Sequence, residues 1–307
     1  MQTQTILGAG GNIGNGLAEK LSEFPVKVRL VSRNPKRLFG TEELVKADLL
    51  QASQVNDAVK GSDICYLVAG ITYRAALWER DWPVIMKNVI AACKTHGSRL
   101  VFFDNMYAYD PKAVGFLQED SPIRPESRKG KVRAEIAQMI MKEIEQGQLT
   151  AMIVRAADFY GPGARLSMVH ETIINRMIGG KSPQWMYNKN KKHSFTYIPD
   201  ATKATAFLAQ QEDSWNQVWH LPTSKSYPSA QEIATILASK LDRKDNVQVL
   251  PGWVVSFLAI FMPLMKEIKE LRYQLDEDYC FDSSKIETAY GLKPTSIDEG
   301  LQACIDH

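Results

Sequence analysis

The run Thr3-Gln4-Thr5-Ile6-Leu7-Gly8-Ala9-Gly10-Gly11-Asn12-Ile13-Gly14 decides the fold. The apolar stretch Thr3 to Leu7 passes without a spacer into a glycine-rich turn, and the turn into a helical period with Ile13, Leu17 and Leu21 on one face. Glycines placed between a strand and the head of a helix suit a phosphate of a dinucleotide, the plainer alternative being a tight turn and nothing more. In that reading Gly8 permits the turn, Gly11 lets the backbone approach a pyrophosphate, and Gly14 lets helix and strand pack closely. The N–H groups at the helix start, around Asn12 and Ile13, receive the anion together with the helix dipole.

Outward from this stretch the same rhythm repeats. Val26 to Val31, Ile64 to Val68, Leu100 to Phe103 and Ala151 to Val154 are short apolar runs, each followed by a turn and a helical period. Such alternation gives an α/β fold in which helices cover a parallel sheet. Pro83 sits where a first helical turn opens before Val84 to Lys94. Past Tyr160 the pattern breaks at Gly161-Pro162-Gly163, and a helical stretch from Glu171 to Ile178 follows. A helix from Asp200 to Gln210, with Asp200 as its N-cap, and a strand from Val218 to Leu221 come next. The expected organisation is a dinucleotide-binding domain over 1–160, with 193–225 returning to it, and a smaller substrate-binding region over 161–192 and 226–307.

The charge balance of 37 basic and 35 acidic residues leaves no global field to favour nucleic acid or a membrane surface. Four scattered cysteines form neither a C-x-x-C pair nor a disulfide framework, and the histidines lack metal-ligand spacing, so no metal is expected. With no signal-peptide pattern at Met1 to Leu7, the expected location is cytoplasmic. The apolar stretch Trp253 to Met265 falls short of the roughly 20 residues that span a bilayer. The spacing of Trp253, Phe257, Phe261 and Met262 suits core packing, with a partner surface as the alternative and membrane contact the least favoured reading.

At the end of the second strand, Ser32-Arg33-Asn34 stands where an NAD site places Asp or Glu on the ribose hydroxyls. A guanidinium suits a 2′-phosphate, so Arg33 favours NADP(H), with NAD(H) still open; the alternative is a solvated loop arginine. Asp48 is open to two readings, an acceptor for the adenine amino group or a turn cap.

With these residues placed, the chain resembles the extended short-chain dehydrogenase/reductases, specifically the NAD-dependent epimerase/dehydratase family. The likeness rests on the G-x-x-G-x-x-G turn, Asp48-Leu49, Tyr66 to Gly70, Asn88, Arg155 to Gly163, Phe195 to Asp200 and Gly291 to Gly300. It implies a Rossmann-type doubly wound parallel sheet with a smaller C-terminal substrate-binding region, cofactor contacts at Ala69, Gly70 and Asn88, and a homodimer joined through the helices after the fourth and fifth strands, including Ala134 to Ile144. It also implies a catalytic Ser or Thr after the fifth strand and a Tyr-x-x-x-Lys on the next helix. In this chain Asn105 stands at the Ser/Thr position, Lys129 at the Tyr position and Arg133 at the Lys position.

Arg133 can hold a ribose but cannot exchange a proton near neutral pH. Lys129, one turn before Arg133, is a candidate acid/base whose pKa like-charge proximity and burial would lower, or a solvated lysine. Tyr107, Tyr109 and Tyr73 are alternative sources of a phenol near the nicotinamide and the substrate, or half-buried packing residues. Sugar-nucleotide members of the family carry Asn and Arg where this chain has Asp158 and His193, which disfavours a diphosphate substrate. Asp158 then reads as a base or hydroxyl-orienting carboxylate, or as a structural one. Lys189, Lys191 and Lys192 form a basic run that either restores anion binding or is solvated. The functional expectation is an NAD(P)-binding oxidoreductase or epimerase/dehydratase-like protein acting on a small carbonyl, hydroxyl or sugar-derived compound without the usual triad. The alternative is a non-catalytic dinucleotide-binding sensor or interaction protein.

Overall fold

The structure is a computed structural model that describes residues 1–164 and 167–307. It divides into two compact units, one formed by 1–107, 129–155 and 201–219, the other by 108–128, 156–200 and 220–307.

The first unit carries a sheet of seven strands, β1 (Gln2–Leu7), β2 (Val26–Ser32), β3 (Glu43–Lys46), β4 (Ile64–Leu67), β5 (Arg99–Asn105), β6 (Ala151–Ala156) and, paired beside β6, β10 (Val218–His220). Their order is β10-β6-β5-β4-β1-β2-β3, and β1 pairs parallel with both β2 and β4, β2 with β3 and β4 with β5. The run 3-2-1-4-5-6 is the doubly wound Rossmann order, whose direction reverses between β1 and β4. Strands buried on both faces need no polar alternation, which is why β4 and β6 are buried at every position. On one face, Val55 and Val59 of α2 (Ala52–Val59), Trp82, Met86 and Val89 of α3 (Ala75–His96), and Val132, Ile136 and Ile140 of α4 (Arg128–Glu145) pack over Leu7, Leu67, Leu100, Phe102 and Ile153. Elsewhere in the unit α1 (Asn12–Leu21) lies close to α6 (Ile198–Leu208), where a Cβ on Gly16 would approach Thr202 Cγ2 to 3.1 Å.

Pro83 does not open a helix but lies inside α3, which starts at Ala75 because Trp78 and Trp82 extend its buried face toward the N-terminus. Asp200 is not an N-cap: α6 begins at Ile198, and the Asp200 carboxylate accepts from the backbone N and the hydroxyl of Thr295 at 2.6 and 2.9 Å. The strand β3 had no apolar signature, being a four-residue stretch, largely half-buried, at the sheet edge.

The second unit holds two small parallel pairs, β7 (Asp158–Tyr160) with β9 (Phe195–Tyr197) and β8 (Gln184–Met186) with β11 (Gln248–Leu250). Around them lie a π-helical turn over His170–Ile174, α5 (Asn175–Ile178), α7 (Ala230–Leu241), α8 (Gly252–Phe261), α9 (Pro263–Lys269), α10 (Tyr273–Asp276), α11 (Ser284–Tyr290) and α12 (Ile297–Asp306). Its core joins Tyr160, Ile173, Trp185, Phe195, Ile233, Leu237 and Leu301. The expectation that Trp253, Phe257, Phe261 and Met262 are core is overturned: all four are exposed, Trp253 at 75%, and of α8 only Val255 is buried.

Candidate functional site

In a doubly wound sheet ligands gather at the carboxyl ends of the strands, beside the reversal in strand order. In the first unit the segments that leave β1, β4 and β5 there carry most of the candidate residues. The turn after β1 is held by Gly8 and Ala9, whose N–H groups both donate to Val31 O at 2.9 and 3.0 Å. Gly8 has φ +96°, and a Cβ on it would stand 2.3 Å from Ala69 Cα, so Ala69 is the surface against which the turn is pressed. Gly10 has φ +105°, a need for glycine that the motif spacing alone did not single out. Gly11 is the N-cap of α1, with no side-chain cap, and a Cβ built on it meets no atom within 4 Å. The space above Gly10 and Gly11 together with the opening of α1 at Asn12 and Ile13 is a cradle that fits a dinucleotide phosphate. Gly14 packs against the Ala9 backbone and Val68, as a close helix–strand approach requires.

The neighbouring candidates are arranged as follows. Ser32 ends β2, its carbonyl accepting from Ala47, and Arg33 is exposed just beyond it. Asp48 Oδ1 accepts from Leu50 N at 3.0 Å, a turn-closing bond. Asn88 donates to Leu49 O at 3.0 Å and so ties α3 to the loop after β3. Gly70 is exposed after β4.

After β4 and β5 stand two phenols. Tyr73 and Tyr107 bring their hydroxyls to 3.4 Å, both rings half-buried, and Trp78 lies edge-on to the first at 5.9 Å and stacked on the second at 6.3 Å. The Asn105 carboxamide oxygen accepts from Tyr107 N at 3.1 Å and so sets the turn that carries this phenol. Lys129 is fully buried, its Nζ 4.6 Å from the centre of the Tyr73 ring. Arg133 takes a different aromatic face, lying over Trp82 at 4.3 Å and Trp78 at 4.8 Å. Its Nε is 3.6 Å from Asp104 Oδ1, and Arg155 donates to the other oxygen of Asp104 at 3.2 Å. Burial is the main force that lowers the Arg133 pKa, against the Asp104 charge that raises it. One buried carboxylate thus serves two guanidiniums. Sequence spacing could not pair Asp104 with residues from α4 and β6, although a charge ending a buried strand was a signal of it.

In the second unit Tyr109 is not available as a candidate phenol. It is fully buried and its hydroxyl donates to His220 Nε2 at 2.6 Å, because His220 Nδ1 donates to Asp282 O at 2.7 Å. Asp158 and His193 do meet, with 2.9 Å between Oδ2 and Nε2. His193 is buried against Trp185, Phe195 and Tyr279, while the Asp158 side chain keeps 28% of its surface exposed. Burial first, and then the Asp158 charge, push the Tyr279 phenol well above its ordinary range; burial, opposed by a hydrogen bond from Gln274 and aided by Asp158, takes the Tyr273 phenol to about 12. In the basic run, Lys189 donates to Val247 O at 3.3 Å and Lys191 pairs with Glu277 at 3.5 Å. Among the described residues no cluster of three or more His, Cys, Asp or Glu could hold a metal ion.

Comparison with known proteins adds the following. The sequence profile of the NAD dependent epimerase/dehydratase family matches residues 5–221. The chain is 21% identical over 310 residues to the 3beta-hydroxysteroid-dehydrogenase/decarboxylase isoform 2 of Arabidopsis thaliana, covering 87% of this chain and 52% of that protein. It is 26% identical over 162 residues to UDP-D-apiose/UDP-D-xylose synthase 2 of the same plant, covering 47% and 42%. The chain therefore spans about half the length of these relatives. Among solved structures it is similar to UDP-glucuronic acid 4-epimerase from Bacillus cereus in complex with NAD, with a TM-score of 0.80, 17% identity, and 99% and 98% of the two chains covered. The UDP-glucose 4-epimerase of Thermus thermophilus in complex with NAD gives 0.79, 17%, 100% and 98%.

Proposed function

The chain belongs to the NAD dependent epimerase/dehydratase family, and from that premise we propose that it is an NADP(H)-dependent oxidoreductase or epimerase-like enzyme with a rearranged proton relay. The observation that carries the proposal is the pair of phenol oxygens 3.4 Å apart, with the Lys129 ammonium over one of the rings. A bound nicotinamide supplies hydride donation and acceptance. What this chain must add is a route for the proton of a carbinol hydroxyl, and Tyr107 and Tyr73 offer one at the carboxyl ends of β5 and β4. Tyr107 takes the carbinol proton as it passes its own to Tyr73, whose half-buried phenol releases one to solvent; the Lys129 cation stabilises the negative charge that develops on the Tyr73 oxygen, and Asn105 orients Tyr107. Lys129 thus acts in this reading as an electrostatic partner beside the relay.

The glycine cradle, lined by Gly8, Gly11, Asn12, Ile13 and Gly14 beside Ala69 and Gly70, is the proposed pyrophosphate site. Arg33, exposed after Ser32, is the proposed partner of a 2′-phosphate. That Arg133 lies against Trp82 and pairs with Asp104 supports a role in shaping the relay from beneath, through Trp78, rather than direct contact with a ribose. Asp48 and Asn88, bonded within the loop after β3, support a role in holding the adenine end of the site.

We read the second unit as the substrate-binding region, with Asp158 and His193 as its polar contacts. A partly exposed carboxylate pinned by a buried imidazole accepts from a substrate hydroxyl and repels a diphosphate, so a carbonyl or hydroxyl compound, sugar-derived or not, fits better than the nucleotide sugars named for the similar structures.

The experiment is kinetic. With NADP⁺ and a panel of secondary alcohols and UDP-sugars, Tyr107→Phe and Tyr73→Phe should each lower kcat by about 10²-fold or more while leaving the dinucleotide Kd unchanged. Full turnover by the double variant would overturn the relay. A wild-type protein that binds NADPH but turns over nothing on the panel returns the molecule to the sensor reading.

A further inference from the structure

The largest departure from ordinary packing lies far from the phenols in sequence. From Pro251 to Met265 the chain carries no charged side chain. On α8, Trp253, Phe257, Ile260 and Phe261 follow at i, i+4, i+7 and i+8, and so share one face. That face points outward: these four are exposed at 75%, 58%, 73% and 71%, while Val255, on the opposite side, is buried. Phe257 and Phe261 lie edge to face at 5.6 Å, and Met262 and Leu264 carry the apolar surface across the break into α9. Scattered exposed apolar residues need no explanation, but a contiguous strip does.

Charge at the end of the strip says what covers it. On α9 the exposed ionisable residues are Lys266 and Lys269, whereas Glu267 and Glu270 are half-buried and engaged within the protein. The strip thus ends in outward-facing positive charge, with the acids that could neutralise it turned inward. Aromatic side chains, Trp above all, combined with flanking lysines suit the boundary between lipid headgroups and acyl chains. At 10 residues α8 is about 15 Å long, half the roughly 30 Å hydrocarbon thickness, so it can lie in the interface but not cross it. No helix among the described residues is long and apolar enough to span a bilayer. A second copy is the poorer occupant. A strip about 15 Å by 10 Å is well below the roughly 800 Å² per partner of a stable dimer, and it offers no exposed acid to answer its own lysines.

We propose that the outer face of α8 and the start of α9 form a docking surface for an anionic lipid membrane, with Trp253, Phe257, Ile260 and Phe261 entering the interface and Lys266 and Lys269 meeting the headgroups. The docking is peripheral and reversible, and it does not depend on the dinucleotide or on the phenol relay.

Co-sedimentation with vesicles tests it. Wild-type protein should pellet with vesicles of equal parts phosphatidylcholine and phosphatidylserine, and about tenfold less with phosphatidylcholine alone. Lys266→Glu with Lys269→Glu should weaken binding to the anionic vesicles by about tenfold or more. Replacement of Trp253, Phe257 and Phe261 by Ser should abolish binding, with an unchanged far-UV circular dichroism melt because all three are exposed. Wild-type protein remaining in the supernatant with both vesicle types overturns the proposal, and that arm needs no variant to fold. So does light scattering that finds a wild-type dimer which the serine variant converts to monomer.

Discussion

Gly8 and Gly11 belong to one motif and differ in what they are for. A methyl group at Gly8 meets the Ala69 backbone at 2.3 Å, in a φ region closed to other residues, so Gly8→Ala should lose roughly 2 kcal/mol or more of stability, read from urea unfolding. Gly11 has φ −91° and open space around it, so Gly11→Ala should keep stability within about 1 kcal/mol yet lose dinucleotide affinity in calorimetric titration, because the methyl group fills the cradle. His170 offers a second test. It is buried, its Nε2 accepts from Gly161 N at 3.3 Å, and burial lowers its pKa below the ordinary 6.5. The unfolded chain therefore takes up the proton first, and stability present above pH 6.5 is lost as pH falls toward the folded-state value, at up to about 1.4 kcal/mol per pH unit. The wild-type Tm should fall between pH 7 and 5.5 more steeply than that of His170→Gln. The glycine turn was legible at this scale because it is local in sequence. The Tyr73–Tyr107 contact joins the ends of two strands, and the Asp104 pairing joins a strand to both a helix and another strand, so both depend on register that no linear pattern displays.

Helices and strands were legible to the degree that burial imposed a period on them. The apolar runs at β4, β5 and β6 became strands because a sheet covered on both faces has no polar alternation, whereas β3, at the edge, carried nothing to detect. Proline position misled for a physical reason. The start of α3 was set by Trp78 and Trp82 seeking the core, and tertiary burial outweighed the missing N–H at Pro83. Two helix starts carry a local sequence signature that apolar periodicity does not display. Ser229-x-x-Glu232 and Ser296-x-x-Glu299 are reciprocal capping boxes at α7 and α12, each Ser hydroxyl 3.2 Å from the N–H three residues on. Ser229→Ala and Ser296→Ala should each cost about 1 kcal/mol in urea unfolding, with no change in dinucleotide affinity.

On the scale of the molecule, a ligand that binds only the folded chain raises its melting temperature by an amount that grows with the logarithm of its affinity. Thermal unfolding with NADPH and NADH at equal concentration should show the larger shift for NADPH, and Arg33→Ala should bring the two shifts together. Equal shifts in the wild type would leave Arg33 a solvated loop residue. The Arg133 guanidinium is held by Trp82 at 4.3 Å and Trp78 at 4.8 Å, with Trp78 in turn stacked on Tyr107, so a positive charge sits against two indoles, one of which packs on the proposed relay. Those chromophores are buried, asymmetric and electrically polarised, and the first unit thereby contains its own optical gauge. Near-ultraviolet circular dichroism and tryptophan emission will register a disturbance of the phenol pair without turnover.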